Sequence, residues 1–155
     1  MTPSFHIVCP HCHTTNRVGA QAPSEALVCG QCKQALFDAQ PVELDELTFN
    51  KHIGRNQIPV VVDFWAPWCG PCKMMAPAYQ QAAAVLEPKV RLAKLNTEAH
   101  QALAQQFGIR SIPTLAVFRD GKELARQSGA MGSADIVRWV QAQIAPGKVH
   151  RADEP

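Results

Sequence analysis

The chain has no excess of charge of either sign. Fifteen Lys and Arg stand against 13 Asp and Glu over 155 residues, a formal net charge of +2. So even a balance supplies no field for holding a polyanion, and nucleic acid is not expected as a partner. A long hydrophobic run is also lacking. The longest aliphatic stretch, Ile58 to Phe64, is cut by Pro59 and Asp63 and falls far below the ~20 residues of a membrane span. No basic flank followed by an apolar stretch of signal-peptide length opens the sequence, the first Lys or Arg being Arg17, so a cytoplasmic, reducing location is expected. Phosphate-binding loops, dinucleotide glycine fingerprints and metalloprotease helix signatures are missing, as are low-complexity tracts. An apolar share of 46% with 18% charged residues still marks a chain that builds a core.

What the chain does have is cysteine. Six lie at positions 9, 12, 29, 32, 69 and 72, forming three Cys-x-x-Cys pairs with none left over. Disulfide frameworks serve chains too small for a core, and this length suits one domain plus a small appendage. In a reducing compartment each pair is therefore expected to be a metal site or a redox centre.

The composition changes near residue 40. Residues 1–37 hold four of the cysteines and three of the six histidines and show no convincing helical or strand periodicity. A metal has to supply their cohesion. Residues 38–41 read as a linker, 42–145 as a self-sufficient domain and 146–155 as a flexible tail. Val42 to Leu44 suggests an edge strand, and Asp45 with Leu47, Phe49 and Ile53 a capped helix. Val60 to Trp65 has the continuous apolar character of a buried central strand. Cys72 to Leu86 shows helical spacing, with a kink expected at Pro77. Val90 to Leu95 reads as a strand, and Leu103 to Phe107 as a helix stopped by Gly108. Leu115 to Phe118 and Glu123 to Gln127 flank the Asp120-Gly121 hairpin signal, and Ser133 is expected to cap a last helix carrying Ile136, Val137, Val140 and Ile144. The order predicts an α/β fold, a central mixed sheet with helices on both faces.

The third cysteine pair opens a helix directly after the buried strand. Unpaired N–H groups and the dipole at a helix N-terminus stabilise an anion, so Cys69 is expected to be an acidified thiolate, with Cys72 a turn inside. Gly70 and Pro71 suit that turn. Cys69 then attacks a disulfide, and Cys72 resolves the mixed disulfide by closing an internal one.

Val62-Asp63-Phe64-Trp65-Ala66, Trp68-Cys69-Gly70-Pro71-Cys72-Lys73 and Ile112-Pro113-Thr114, in that order, resemble the thioredoxin family over roughly residues 42–145. The resemblance implies a thioredoxin fold and assigns Cys69 as attacking thiol and Cys72 as resolving thiol. Asp63 would be the buried acid that relays the Cys72 proton, with Lys94 as its charge neighbour. Pro113 would be a cis-proline facing the redox-active Cys69–Cys72 disulfide. Ile112, Gly129 and Ala130 would offer backbone groups to an extended substrate strand, beside an apolar docking surface that includes Trp68. A monomeric protein-disulfide reductase is implied, recharged by thioredoxin reductase and acting on client proteins that carry disulfides.

Cys9-Pro10-His11-Cys12 and Cys29-Gly30-Gln31-Cys32 are sixteen residues apart, within the spacing read as a zinc site. Four thiolates close a tetrahedron around one Zn²⁺ and leave no open position, so the metal is expected to be structural and to drive folding of a small N-terminal zinc ribbon. His11 and His13 are alternative ligands only if a cysteine is displaced. Iron, or two disulfides under oxidising conditions, would be the other outcomes. Arg17 and Lys33 against Glu25 leave residues 1–37 at net +1, too little for a phosphate-tracking surface. With this extension the sequence resembles the zinc-ribbon-bearing bacterial branch of the family, the thioredoxin 2 type. The alternative role for such a chain is a zinc- and redox-regulated chaperone or adaptor.

Overall fold

The computed structural model describes residues 4–19 and 27–145; the expected tail, 146–155, lies outside the described residues. Among the described residues, seven strands and four helices run in the order β1 (Ser4–Val8), β2 (Thr15–Gly19), β3 (Val42–Leu44), α1 (Phe49–Arg55), β4 (Val60–Trp65), α2 (Gly70–Leu86), β5 (Arg91–Asn96), α3 (Gln101–Gln106), β6 (Thr114–Arg119), β7 (Lys122–Ser128) and α4 (Ser133–Ile144). From β3 onward they form one five-stranded mixed sheet, ordered β3-β5-β4-β6-β7. β3 and β4 pair parallel to β5, while β6 is antiparallel to β4 and β7 to β6.

Strand alternation sorts the central strand between two cores. Val60, Val62 and Phe64 pack with Phe49, Ile53, Leu103 and Phe118 on the face covered by α1 and α3. Val61 faces the opposite side, with Leu92, Leu115 and Val117, beneath Met75, Tyr79 and Ala82 of α2 and Ile136 and Val140 of α4. The Tyr79 hydroxyl bonds to the carbonyls of Val61 (3.1 Å) and Ala93 (2.8 Å), tying α2 to adjacent strands. Between β6 and β7 only Asp120 and Gly121 turn the chain, both at positive φ (53° and 80°), as a two-residue type I′ connection requires.

Four local expectations are corrected. Residues 1–37 contain an antiparallel hairpin, β1 against β2, which escaped a periodicity search because only Ile7, Val8 and Val18 on it are buried. Asp45 does not begin a helix. Its carboxylate accepts from Leu47 N and from Thr48 N and Oγ1, forming a turn four residues ahead of α1, and leaves Leu47 exposed. The N-cap of α4 is Gly132, and Ser133 is its first helical residue. Helix α2 starts at Gly70 rather than at Cys72, with Cys69 as its N-cap, and runs through Pro77 to Leu86 as expected.

The N-terminal hairpin is docked on the main sheet. Ile58, just before β4, joins the small core of Ile7, Val18, Leu27 and Leu36. Arg91, fully buried, donates from Nη2 to the carbonyls of Leu36 (2.7 Å) and Val8 (3.2 Å), lies over the Phe37 ring and pairs with Glu87. Asn56 Oδ1 accepts from Val8 N at 2.7 Å, and Gln57 and His6 exchange two bonds.

Candidate active site and candidate metal centre

Cys69 and Cys72 form a disulfide with a Cα–Cα separation of 5.3 Å. Both are almost wholly buried, beside Ala66, Trp65 and Ile112. The Cys69 sulfur caps α2, accepting the Cys72 N–H at 3.2 Å. Helix geometry thus aims the orphan N–H groups and the positive dipole end at the outer sulfur.

The opposite wall is the turn before β6. The Ile112–Pro113 bond is cis, and the Ile112 carbonyl oxygen lies 3.9 Å from Cys69 Sγ. Gly129, at φ +100°, donates its N–H to the Pro113 carbonyl at 2.9 Å, which brings Gly129 and exposed Ala130 to the same rim. Trp68 stands 66% exposed beside the pair. Sequence reasoning missed one contributor to this rim. Thr114 Oγ1 bonds to Ser111 O (2.7 Å) and Ser128 Oγ (3.0 Å), fixing the turn against β7.

Asp63 lies in the middle of β4, 1% exposed, on the face covered by α2. Its Oδ1 has no hydrogen-bond partner. Burial pushes its carboxyl up to about 7, against the opposing pull of Lys94 and with a further push from Glu43. Lys94 is its register partner on β5 and holds its ammonium 4.5 Å from the Trp65 ring centroid.

At the other end of the sheet, Cys9, Cys12, Cys29 and Cys32 place all four sulfurs within 4.8 Å of one another. Two matching turns build the cluster. Cys9 N bonds to Thr14 O and His13 N to Cys9 O; in the second turn, Cys29 N bonds to Gln34 O and Lys33 N to Cys29 O. The residue after each second cysteine, His13 or Lys33, has positive φ (65° and 69°). Backbone N–H groups of His11 and Cys12 point at the Cys9 sulfur, and those of Gln31 and Cys32, with Asn16 Nδ2, at the Cys29 sulfur. The sulfurs of Cys9 and Cys32, and those of Cys12 and Cys29, are 3.6 Å apart, near the roughly 3.8 Å edge of a tetrahedron with ~2.3 Å Zn–S bonds. The donor set therefore fits a tetrahedral cation that prefers sulfur. Burial, with a further push from the Cys32 and Cys12 sulfurs, raises the Cys9 thiol to about 12, whereas N–H donors draw Cys29 down to about 6. His11 and His13 lie outside the set, His11 facing Asp38 and His13 bonding to buried His52 at 3.0 Å.

The part of the chain that carries this sheet, the helix-capping disulfide and the cis-proline turn, residues 40–142, matches the thioredoxin family model. The chain belongs to the thioredoxin family. It is 44% identical to thioredoxin C-3 of Corynebacterium nephridii over 138 residues, 89% of this chain and 94% of that one. That match is longer than the chain downstream of residue 39, so it extends into the cysteine-rich N-terminal segment. Thioredoxin of Haemophilus influenzae is 37% identical over 106 residues, 68% of this chain and 99% of that protein. Thioredoxin 1 of Synechococcus elongatus is 45% identical over 99 residues, 64% of this chain and 92% of that protein. The activity is that of a thiol-disulfide oxidoreductase. Among the described residues no helix is long and apolar enough to cross a membrane.

Proposed function

We propose that the chain is a protein-disulfide reductase that uses Cys69 as attacking and Cys72 as resolving thiol, is recharged by an NADPH-dependent thioredoxin reductase, and carries one structural zinc on Cys9, Cys12, Cys29 and Cys32. The observation that carries this reading is the Cys69 sulfur at the N-terminus of α2, accepting the Cys72 N–H and bonded to the second sulfur of its own turn.

In the reduced protein the helix end favours the Cys69 thiolate, which attacks one sulfur of a client disulfide and releases the other as thiolate. Ile112, Gly129 and Ala130 lay backbone groups along the rim for an extended client segment, and Trp68, Gly70, Pro71 and Pro113 give it an apolar seat. Cys72 passes its proton to the buried carboxylate of Asp63 and attacks Cys69. The internal disulfide closes, the client leaves as a dithiol, and two electrons have moved from chain to client. The reductase returns two electrons and two protons. Zinc, when bound, supplies folding energy to residues 1–37 and no catalytic position, since thiolates fill its four corners. A reducing compartment such as the cytoplasm suits both the thiolate ligands and the dithiol. The division into a ribbon (1–37), a linker (38–41) and a thioredoxin domain (42–145) belongs to the same reading. A chain that only docked partners has no use for a pair that closes a disulfide.

The test is insulin-disulfide reduction with thioredoxin reductase and NADPH. Cys69→Ser is expected to abolish turnover, and unchanged turnover refutes the assignment. Removal of residues 1–37 tests whether the ribbon is accessory, by retention of that turnover.

A further inference from the structure

We propose that Glu43 is a positioning residue for the dithiol exchange, sharing the Lys94 ammonium with Asp63 and so setting the pH at which Asp63 takes up the Cys72 proton. The inference rests on the redox reading above.

The sheet order puts β5 between β3 and β4. Lys94 is the register partner of Glu43 on one side and of Asp63 on the other. Paired residues in parallel strands share a face, and neighbouring strands lie ~4.8 Å apart. The three side chains therefore form one row, carboxylate, ammonium, carboxylate, with the acids roughly 10 Å apart at the backbone. That face is the one on which Val61 and Leu92, two residues earlier on their strands, pack under α2 and α4.

Lys94 is committed to neither acid. Among the described residues it makes no ion pair with either, and its ammonium lies over Trp65, two residues beyond Asp63 on the same face. The remaining neighbours of Asp63 supply no competing charge. Leu115 faces it from β6, the Tyr79 hydroxyl on α2 is spent on two carbonyls, and Cys72 is the group whose proton is exchanged. Around Glu43 the other titratable neighbour is His100, itself bonded to Glu46 at 2.7 Å. The Trp65 Nε1 makes no hydrogen bond to Glu43 or to any other described residue. The charges act with opposite sign on Asp63, Lys94 favouring the carboxylate and Glu43 the acid. Replacing Glu43 by a neutral residue removes the repulsion and leaves the ammonium wholly to Asp63.

The experiment uses the full chain with zinc bound. The Asp63 carboxyl is titrated by ¹³C NMR in reduced protein, alongside the pH profile of insulin reduction. Glu43→Gln is expected to lower the Asp63 midpoint by about half a unit, a roughly threefold loss of proton affinity, the interaction being partly screened at the sheet edge. The acid limb of turnover moves down with it while KM for insulin stays unchanged, and Glu43→Asp restores the wild-type midpoint. In a Lys94→Gln background the Glu43→Gln shift is smaller, as coupling through a shared partner demands. An unmoved midpoint overturns the proposal, as does a uniform loss of activity at every pH. If Cys69→Ser is inactive while the Glu43→Gln midpoint is unmoved, this inference alone fails; if Cys69→Ser is active, the redox reading fails first.

Discussion

Arg91, the first residue of β5, donates a 2.7 Å hydrogen bond from its guanidinium to the carbonyl oxygen of Leu36, across the junction between the N-terminal hairpin and the main sheet. The same nitrogen reaches Val8 O, and the Glu87 carboxylate beside it accepts from Ala39 N. Burial lowers the Arg91 guanidinium to about 10, which leaves it charged at neutral pH. One buried ion pair thus fastens residues 8, 36 and 39 to the end of the sheet opposite the disulfide.

Arg91→Met removes the cation and strands Glu87 in the interior. Breaking a buried pair from one side costs about 3–5 kcal/mol. Denaturant melts of zinc-loaded protein are expected to show that loss. Turnover per folded molecule is retained, because the redox pair sits beyond the opposite end of β4. A change below about 0.5 kcal/mol would mean that the Arg91–Glu87 pair contributes nothing to the junction.

The zinc assignment makes a second prediction. Metal analysis of reduced protein is expected to return about one zinc per chain and no iron, and Cys29→Ser to return almost none. Residues 8 and 36, the acceptors of Arg91, lie beside the sulfur turns, so loss of the metal also lowers the stability of the main domain. Metal-free protein with two N-terminal disulfides refutes the site.

The parts legible in the sequence were those whose chemistry is local. A β-branched run marked β4, two residues between cysteines marked the helix-capping disulfide, and Asp120-Gly121 marked the hairpin turn. What escaped were polar residues with distant partners. His52 and Asn56 are buried because their partners are His13 and Val8, some forty to fifty positions earlier, and Arg91 is buried because residues 8 and 36 accept its protons. A pattern that treats polar residues as surface cannot see such contacts. Glu43 was hidden differently: its partner is set by strand order, which puts β5 rather than β4 beside β3.

A third prediction separates the two redox cysteines. With Cys72→Ser the first step proceeds and resolution does not, so a client disulfide is captured as a covalent adduct on Cys69. Mass spectrometry under non-reducing conditions should find the adduct with Cys72→Ser and none with Cys69→Ser. Adducts on Cys72 in the Cys69→Ser protein would reverse the roles.

The fourth concerns Asp63, whose folded-state pKa, about 7, stands above its ordinary 3.8 because the carboxyl is buried. Between those values the native protein keeps a proton that the unfolded chain has released. Stability must therefore fall as pH rises from 3.8 towards 7, and the loss is complete above it. Asp63→Asn removes the ionisation and with it the loss. In oxidised protein the variant is expected to match the parent near pH 4 and to exceed it by on the order of 4 kcal/mol at pH 8. In reduced protein the same variant lacks the acceptor for the Cys72 proton, so its turnover falls while its stability at pH 8 rises. A stability difference that does not vary with pH would place the Asp63 carboxylate in water and remove it from the relay.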